Sequence, residues 1–349
     1  VPACATARLD TVGISPAGPR NRPRSRTVLR SGRSEAGVAT AFGRQWHLPW
    51  PRRFCPMPSL LDQRQVRRGF DRAAASFDAA AALPAEVRTR LLGSLDYLDD
   101  TVPAVVLDLG SGTSHAAAAM KKRWPKSQVL ALDLSLPMLR ESRRQAGWWR
   151  PFPRLCADAR ALPLADGSVD LVFANLSLAW MENLPGVFAG LRRVLRPGGL
   201  LLCSSFGPET LGELQAAFTG EHEPPQPIPL LPIADFGDAM VAAGFRDPVL
   251  DRDLFTLTWP DLRALLRELR ATGMGNALAR RRRGLTGRGR FDAASAACEA
   301  LRDEQGRLPT TWEVIYAHAW APAPGAPIRE GGHDVASVPL AQIPIRRRS

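Results

Sequence analysis

Apolar residues near the start of the globular pattern recur every three or four positions. Val66 and Phe70 belong to one such series within residues 63–99, and Pro84 marks either a break or the first turn of a second helix. This spacing places apolar side chains on one face of a helix. We therefore expect residues 57–100 to form N-terminal helices that cover a functional site.

After Pro103 the pattern changes to short apolar runs separated by segments of helical spacing. Short continuous apolar runs that alternate with helices are typical of the buried strands of a parallel sheet. The predicted strands are residues 105–109, 128–132, 154–157, 169–174 and 200–204. Five strands alternating with helices predict an α/β fold with a doubly wound, Rossmann-like sheet over residues 101–207.

Residues 208–320 read differently, because helices there outnumber strands. Two further strands are predicted, at residues 249–258 and 312–320, which brings the sheet to seven strands with helical additions. We expect residues 208–320 to supply a helical lid and the last strands of the same domain. Residues 321–349 are rich in Pro and Gly and are predicted to be a loose tail.

Residues 1–56 contain ten arginines against two acidic residues, and they show no apolar periodicity. This composition predicts a disordered basic leader. The leader could be a transit-like presequence, a basic arm for nucleic acid, or a segment foreign to the natural protein. We favour the last interpretation, with Met57 as the natural start, because the globular pattern begins just after it.

The net charge of +12 does not by itself indicate a nucleic-acid partner, since +8 of it lies in residues 1–56. No run of about 18 apolar residues is present, so we predict no membrane span. The five cysteines are scattered and form no CxxC pair. We therefore expect no metal site and a cytoplasmic protein.

The carboxyl ends of the predicted strands carry the candidate site, because ligands of open α/β sheets bind at that edge. Gly110 and Gly112 would let a ligand approach the backbone closely, and Asp133 is placed to accept both hydroxyls of a ribose. Asp108 would repel a pyrophosphate but could hold an ammonium group, and His115 stands where dinucleotide-binding turns have a third glycine. The pattern favours S-adenosylmethionine over NAD.

Further residues at the same edge are expected to contact this cofactor. Asp158 could accept a hydrogen from the adenine amino group, and Asn175 would lie beside the methyl donor. The complete predicted cofactor-binding set is Asp108, Gly110, Gly112, Asp133, Leu134, Asp158, Ala159 and Asn175.

The order and spacing of several motifs resemble the class I S-adenosylmethionine-dependent methyltransferases. Within that class the chain is most similar to the malonyl-acyl-carrier-protein O-methyltransferases of biotin synthesis. A related mitochondrial group of methyltransferase-like or hydroxylase proteins shares part of the resemblance. The motifs are DLGSGT, ALDLS, ADARALPLADGSVDLVFANLSLAW, LRRVLRPGGLLL, FDRAAASFD, FGPETLGEL and RLPTTWEVIYAHAW.

The resemblance implies that the free carboxyl group of a malonyl thioester receives the methyl group. A malonyl carboxylate is ionised at neutral pH, so no general base and hence no catalytic residue is expected, only positioning. The matching segments contribute Arg72, Trp180, Tyr316 and His318 as candidates for the substrate side.

Acyl carrier proteins are acidic, and a run of four arginines offers an attractive surface for one. We expect docking through Arg280, Arg281, Arg282 and Arg283, with a solvated loop as the alternative.

Three positions depart from the family pattern. Ser114 replaces the last glycine of the turn, Phe77 stands where tyrosine is usual, and Ala179 where glutamine is usual. These departures leave two other hypotheses open. The protein could be a related methyltransferase or hydroxylase-like enzyme with another substrate, or a non-catalytic assembly factor that binds S-adenosylmethionine.

Overall fold

A computed structural model describes most of the chain between Ser59 and Ala323 and a few residues outside it. The described residues are 9–10, 59–98, 102–147, 151–219, 229–323, 328–330 and 333–335.

A single large sheet forms the centre of the protein. Its strands are β1 (Leu9–Asp10), β2 (Val105–Leu109), β3 (Gln128–Asp133), β4 (Arg154–Cys156), β5 (Val169–Ala174), β6 (Leu195–Phe206), β7 (Arg246–Trp259) and β8 (Leu308–Trp320). They are hydrogen-bonded in the order β1-β7-β8-β6-β5-β2-β3-β4. The seven strands from β2 to β8 confirm the predicted doubly wound sheet.

Strands β2 to β6 are parallel, whereas β8 runs antiparallel to both β6 and β7. The strand order reverses between β2 and β5, so the carboxyl ends of these two strands diverge and leave a crevice. This topology places the residues after β2, β3, β4 and β5 at one edge.

Helices pack on both faces of the sheet and extend beyond it. They are α1 (Gln63–Ala73), α2 (Phe77–Ala80), α3 (Ala82–Gly93), α4 (Leu95–Leu98), α5 (His115–Arg123), α6 (Leu136–Glu141), α7 (Arg143–Ala146), α8 (Leu184–Val194), α9 (Gly212–Phe218), α10 (Ile233–Ala242), α11 (Leu262–Ala271) and α12 (Arg288–Glu299). Two short 3₁₀ helices lie at Ala159–Ala161 and Leu178–Trp180.

Burial explains why the strands read so differently in the sequence. The residues of β2 and β5 are almost all buried, because helices cover both faces, and these strands are continuous apolar runs. The first half of β7 alternates between partly buried and exposed residues. Its alternating sequence therefore reflects a strand with one covered face.

The N-terminal segment closes over the carboxyl edge by pairing with a distant loop. Asp62 donates its backbone N–H to Ala277 O at 2.7 Å, and Ala279 donates to Leu60 O at 2.8 Å. The Asp62 side chain also caps α1 by accepting from Gln65 N. Pro84 lies in the first turn of α3, where its missing N–H costs no helical hydrogen bond.

The predicted leader and the predicted tail each contain described residues that form short paired strands. Leu9–Asp10 pairs antiparallel with β7, and the remainder of the predicted leader lies outside the described residues. In the tail, β9 (Ile328–Glu330) pairs with β10 (His333–Val335). Among the described residues no helix is long and apolar enough to cross a membrane.

Candidate functional site

The turn after β2 requires glycine at two positions for different reasons. Gly110 has φ +65°, and a Cβ atom there would collide with Cβ of Ser177. Gly112 has φ +53°, but a Cβ there would have no heavy-atom neighbour within 4 Å. Both glycines line a cavity at the carboxyl edge of the sheet, which we call the donor cavity. Glycine is needed at residue 110 because the turn packs closely against Ser177. At residue 112 it is favoured by the positive φ, and the space beside it is open.

Asp108 lies beneath this turn and is 2% exposed. One of its carboxylate oxygens accepts the N–H of Ala117 at 2.9 Å, and among the described residues no group donates to the other. Burial, and to a smaller degree the neighbouring Asp133, raises the pKa of Asp108 to about 7. A buried carboxylate with a spare oxygen at a cavity wall is suited to a cationic ligand group.

Asp133 ends β3 and has its two oxygens fixed by backbone donors. Gly112 N donates to Oδ2 at 2.8 Å, and Ser135 N donates to Oδ1 at 2.7 Å. Each oxygen keeps one lone pair for a further donor, so the carboxylate can still accept two hydroxyls. Burial raises the pKa of Asp133 to about 6, an effect that the two backbone hydrogen bonds partly offset.

Asp158 lines the donor cavity, but its carboxylate is already engaged. It caps the 3₁₀ helix by accepting from Arg160 N, and it forms a bidentate ion pair with the Arg160 guanidinium, with one N–O distance of 2.6 Å. The side-chain hydrogen bonds from Arg160 lower the pKa of Asp158. Four donor contacts leave little capacity for an adenine amino group, so Asp158 shapes the wall rather than offering a free acceptor.

Asn175 also lines the donor cavity, yet both ends of its amide are used within the protein. Its Nδ2 donates to Pro84 O at 3.0 Å, and its Oδ1 accepts the hydroxyl of Ser204 at 3.0 Å. The side chain therefore holds α3 against the ends of β5 and β6. Leu134 and Ala159 contribute further wall of the same cavity.

A second cavity, which we call the acceptor cavity, adjoins the first. Trp180 and Met274 line both. The acceptor cavity is walled mainly by apolar side chains of α9, α11 and β8, including Leu214, Leu266 and Trp312. Two cavities with a shared wall can hold two reactants side by side.

The comparisons with known proteins agree with this geometry. A model of the methyltransferase domain matches residues 107–203. A malonyl-[acyl-carrier protein] O-methyltransferase of Xylella fastidiosa is 56% identical over 293 residues, which cover 84% of this chain and 99% of that protein. The chain belongs to the malonyl-[acyl-carrier protein] O-methyltransferase family.

Other members of the family are more distant. One from Methylovorus sp. is 43% identical, covering 78% of this chain and 93% of its own length. One from Laribacter hongkongensis is 44% identical, covering 75% and 90%. Among solved structures, the YcgJ protein of a Bacillus species aligns with a TM-score of 0.49 at 14% identity, covering 67% of this chain and 98% of that one.

As a member of this family the protein is an S-adenosylmethionine-dependent methyltransferase, and the donor cavity fits that cofactor. Asp133 offers lone pairs for the ribose hydroxyls, the spare oxygen of Asp108 suits the ammonium group, and Gly112 leaves space along the turn. No group of residues that could hold a metal ion occurs in the described part of the chain.

Of the four side chains predicted on the substrate side, the structure places only Trp180 at a cavity. Arg72 is exposed and lies outside both cavities, because it is two residues, or about 200°, around α1 from Phe70, which faces the donor cavity. Tyr316 and His318 also lie outside both. The resemblance covers their segment. Both residues share the face of β8 that carries Trp312, but they lie four and six residues, or about 13 and 20 Å, farther along the strand, beyond the acceptor cavity.

The environments of the last two residues show what they do instead. The Tyr316 hydroxyl is buried and has no hydrogen-bond partner in the described part of the chain, and burial raises its pKa far above the usual value. His318 packs its ring against Trp320 with 5.0 Å between centroids. Both serve the packing of the sheet.

The three departures from the family pattern all fall at the site. Ser114 begins α5 with φ 64° and is fully buried, and its hydroxyl donates to that of Ser111 at 3.2 Å. Phe77 lines the donor cavity and Ala179 the acceptor cavity.

Sequence reasoning missed several residues of the donor cavity. Gln63, Arg67 and Phe70 recur at the spacing of one helix face, which could have pointed to them. Arg88 carries no local signal, since it is one arginine among several in α3 and its neighbours.

The four arginines at residues 280–283 differ in exposure and in their contacts. Arg280, Arg282 and Arg283 are exposed, whereas Arg281 is half-buried and pairs with Asp62 at 3.0 Å. Arg281 and Arg282 also line the rim of the acceptor cavity. Arg281 is thus tied to the closure of the N-terminal segment.

Proposed function

We propose that this protein methylates the free carboxyl group of a malonyl thioester carried by acyl carrier protein, as a step of biotin synthesis in the cytoplasm. The observation that carries the proposal is the mainly apolar acceptor cavity, which meets the donor cavity at Trp180 and Met274 and has arginines among its lining residues. Family membership supports the same substrate, since the relatives are named for it.

The reaction requires the protein to position the two reactants, but it requires no proton transfer. S-adenosylmethionine, when bound, supplies a methyl group on a positively charged sulfur. The malonyl carboxylate is ionised at neutral pH, so no residue needs to remove a proton from it. The protein's contribution is to exclude water from the carboxylate and to hold it in line with the methyl group.

Trp180 lines both cavities and lies where they meet. Its ring packs edge-on against Phe70 with 5.4 Å between centroids, and its backbone oxygen accepts from Gln63 Nε2 at 3.1 Å. These contacts fix an apolar wall where the carboxylate would meet the methyl group. An apolar wall favours loss of water from the carboxylate and strengthens its attack.

The acceptor cavity suits the long, uncharged part of a thioester arm. Leucines of α9 and α11 line it, and apolar residues outnumber polar ones in its lining. An arm threaded from a carrier at the surface would bring the malonyl group to the Trp180 end. The exposed Arg280 and Arg283 would then attract the acidic carrier outside.

The decisive test is product formation. The protein is incubated with S-adenosylmethionine and malonyl-acyl carrier protein, and the carrier is analysed by mass spectrometry for the methyl ester. Acetyl-acyl carrier protein, which lacks the free carboxyl group, is the matched control and should remain unmodified.

Two other outcomes would contradict the proposal. Methyl transfer to a different acceptor would favour the related enzyme with another substrate. Cofactor binding in calorimetry with no transfer at all would favour the non-catalytic assembly factor.

Carrier docking is tested separately with the double variant Arg280→Gln/Arg283→Gln. We expect the KM for malonyl-acyl carrier protein to rise several-fold at low salt and the effect to shrink as salt screens the charges. The KM for malonyl-coenzyme A should change less. Arg143→Gln/Arg144→Gln, at exposed positions of α7, is the control for net charge. An equal effect of both double variants would contradict docking at the loop.

A further inference from the structure

Arg88 is an unusual cation in the wall of the donor cavity. It is half-buried on α3, one helical turn after Pro84, and both residues face the cavity. Asn175 fixes this turn through its hydrogen bond to Pro84 O. The hydrogen bond anchors the backbone of α3 at this point, and the helix places Arg88 in the cavity wall.

The guanidinium has charged neighbours but no hydrogen-bond partner among the described residues. Burial lowers the pKa of Arg88, and the carboxylates of Asp78 and Asp108 oppose that effect only through space. Asp78 is itself occupied, since it accepts the Thr113 hydroxyl at 2.5 Å and lies 3.1 Å from Nε2 of His115. A half-buried guanidinium with five unused donors is poised to receive an anion.

Asp108 provides the complementary charge in the same cavity. Its spare oxygen can accept an ammonium group, and it interacts with Arg88 without contacting it. An α-amino acid carries both charges on one carbon atom, so it can lie between a carboxylate and a guanidinium.

We propose that Arg88 binds the α-carboxylate of S-adenosylmethionine while Asp108 binds its ammonium group. This assignment rests on the proposed function, because it presumes the methyl donor in this cavity. It adds a residue of α3 to a site otherwise formed by the edge of the sheet.

The position of Arg88 favours the donor's carboxylate over the malonyl carboxylate. Arg88 shares its end of the cavity with Asp108 and with the α2–α5 contact formed by Asp78 and His115. It does not line the acceptor cavity, which joins the donor cavity at Trp180 and Met274. A malonyl group entering from the acceptor cavity would meet Trp180 and Met274, which line both cavities, whereas Arg88 lines the donor cavity alone.

The test compares two ligands by calorimetry on the full chain. S-adenosylmethionine carries the α-carboxylate, and decarboxylated S-adenosylmethionine lacks it. We expect Arg88→Gln to weaken binding of the first by about 10- to 100-fold, the range for a lost charge-assisted hydrogen bond, and to leave the second within about twofold. Arg88→Lys should recover part of the loss. Arg72→Gln, which removes an exposed arginine outside both cavities, is the control and should bind both ligands as the wild type does.

The outcomes separate this assignment from the proposed function. Equal weakening of both ligands would mean that Arg88 only shapes the cavity, and unchanged binding of both would mean that it plays no part; either overturns the assignment. A raised KM for the malonyl substrate with unchanged donor affinity would assign Arg88 to the acceptor and overturn it as well. If the wild-type protein bound neither ligand, the proposed function itself would fail.

Discussion

The donor and acceptor cavities meet at Trp180 and Met274, but they are built in different ways. The donor cavity takes most of its polar groups from the carboxyl ends of successive strands and the short turns after them, such as Asp108 near the end of β2 and Asp133 at the end of β3. The acceptor cavity takes its walls from α9, α11, β8 and the loop before α12, which are far apart in the chain. One cavity is a property of the sheet edge, and the other is created by helices folded over it.

This difference has a chemical counterpart. The donor cavity carries buried charges whose oxygens are oriented by backbone N–H groups, as at Asp133. The acceptor cavity is mainly apolar, and the charged residues among its described lining are all arginines. We therefore expect single polar substitutions to damage donor binding and steric substitutions to damage acceptor binding. Five predictions test this contrast and the residues behind it.

The largest effect is expected at Asp133. Asp133→Ala removes both acceptors for the ribose hydroxyls and should weaken donor binding by about 100-fold or more, since hydrogen bonds to a charged group contribute about 1.5–3 kcal/mol each. Asp158→Ala should weaken binding by less than about fivefold, because Arg160 already occupies that carboxylate. Calorimetry measures both, with thermal unfolding as the control because Asp133 also anchors Gly112 and Ser135. Equal losses would show that the two carboxylates are equivalent after all.

The next effect is steric and concerns the acceptor cavity alone. Leu214→Trp fills this cavity and should raise the KM for the malonyl substrate by about tenfold, the cost of about 1–3 kcal/mol typical of overpacking. The Kd for the donor should not change. Val241→Trp, at an exposed position of α10, is the matched control. If the donor Kd rose with the KM, the two cavities could not be treated as separate sites.

The third effect is a pH dependence of donor binding. Asp108 has a pKa of about 7 and must be ionised to hold an ammonium group, so donor affinity should fall as the pH drops below about 7, approaching tenfold per pH unit. Calorimetry at several pH values measures the slope, and Asp108→Asn should bind weakly with a flatter profile. An unchanged slope in that variant would assign the titration to another group.

The ionisation of Asp108 should also affect the stability of the fold. Stability should decrease as the pH rises, whereas donor affinity should increase. The folded-state pKa of Asp108 lies above the ordinary value of 3.8, so the folded protein binds this proton more tightly than the unfolded chain does. The contribution of Asp108 to stability therefore decreases as the pH rises from about 4 to about 7. In the absence of donor, Asp108→Asn should reduce that decrease, as urea unfolding at the two pH values would show.

The smallest effect is expected at Ser114. Its left-handed backbone costs about 1–2 kcal/mol in a residue with a side chain, and Ser114→Gly should remove that cost. The lost hydroxyl contact with Ser111 and the greater freedom of glycine offset part of the gain, so the net stabilisation should be at most about 1 kcal/mol. Urea unfolding measures it. Ser111→Ala, which removes the hydroxyl contact alone, is the control, and a clear loss of stability in Ser114→Gly would show that this contact outweighs the strain.

The parallel strands were predictable because each contains a short apolar run, and the two glycines and two aspartates of the donor cavity lie at the ends of β2 and β3 or in the turn after β2. The predicted strand at residues 169–174 coincides with β5, and the run at residues 105–109 coincides with β2. Helix boundaries were less predictable. The helical segment after β3 is divided into α6 and α7, where Ser142 both ends one and begins the other.

Side-chain partners were not predictable from the same pattern. Asp158 follows its strand as Asp133 does, but Arg160, two residues later, folds back onto it. Tyr316 and His318 share a face of β8 with the cavity-lining Trp312 but lie farther along the strand, and a motif match does not give how far along a strand a cavity extends. The prediction that Arg72 lines the substrate side was wrong for a related reason. Residues close in sequence on a helix point in different directions, and a motif match does not show which of them faces the cavity.

By itself, the sequence determined the sheet and the chemistry of its edge, because a buried strand and the turn after it are local features that a few consecutive residues specify. The tertiary structure decided the acceptor cavity, the closure of residues 59–63 against residues 276–281, and the position of Arg88 opposite Asp108. Each of these depends on how helices distant in the chain pack over the sheet. Such packing follows from the summed burial of many side chains, and no single segment encodes it.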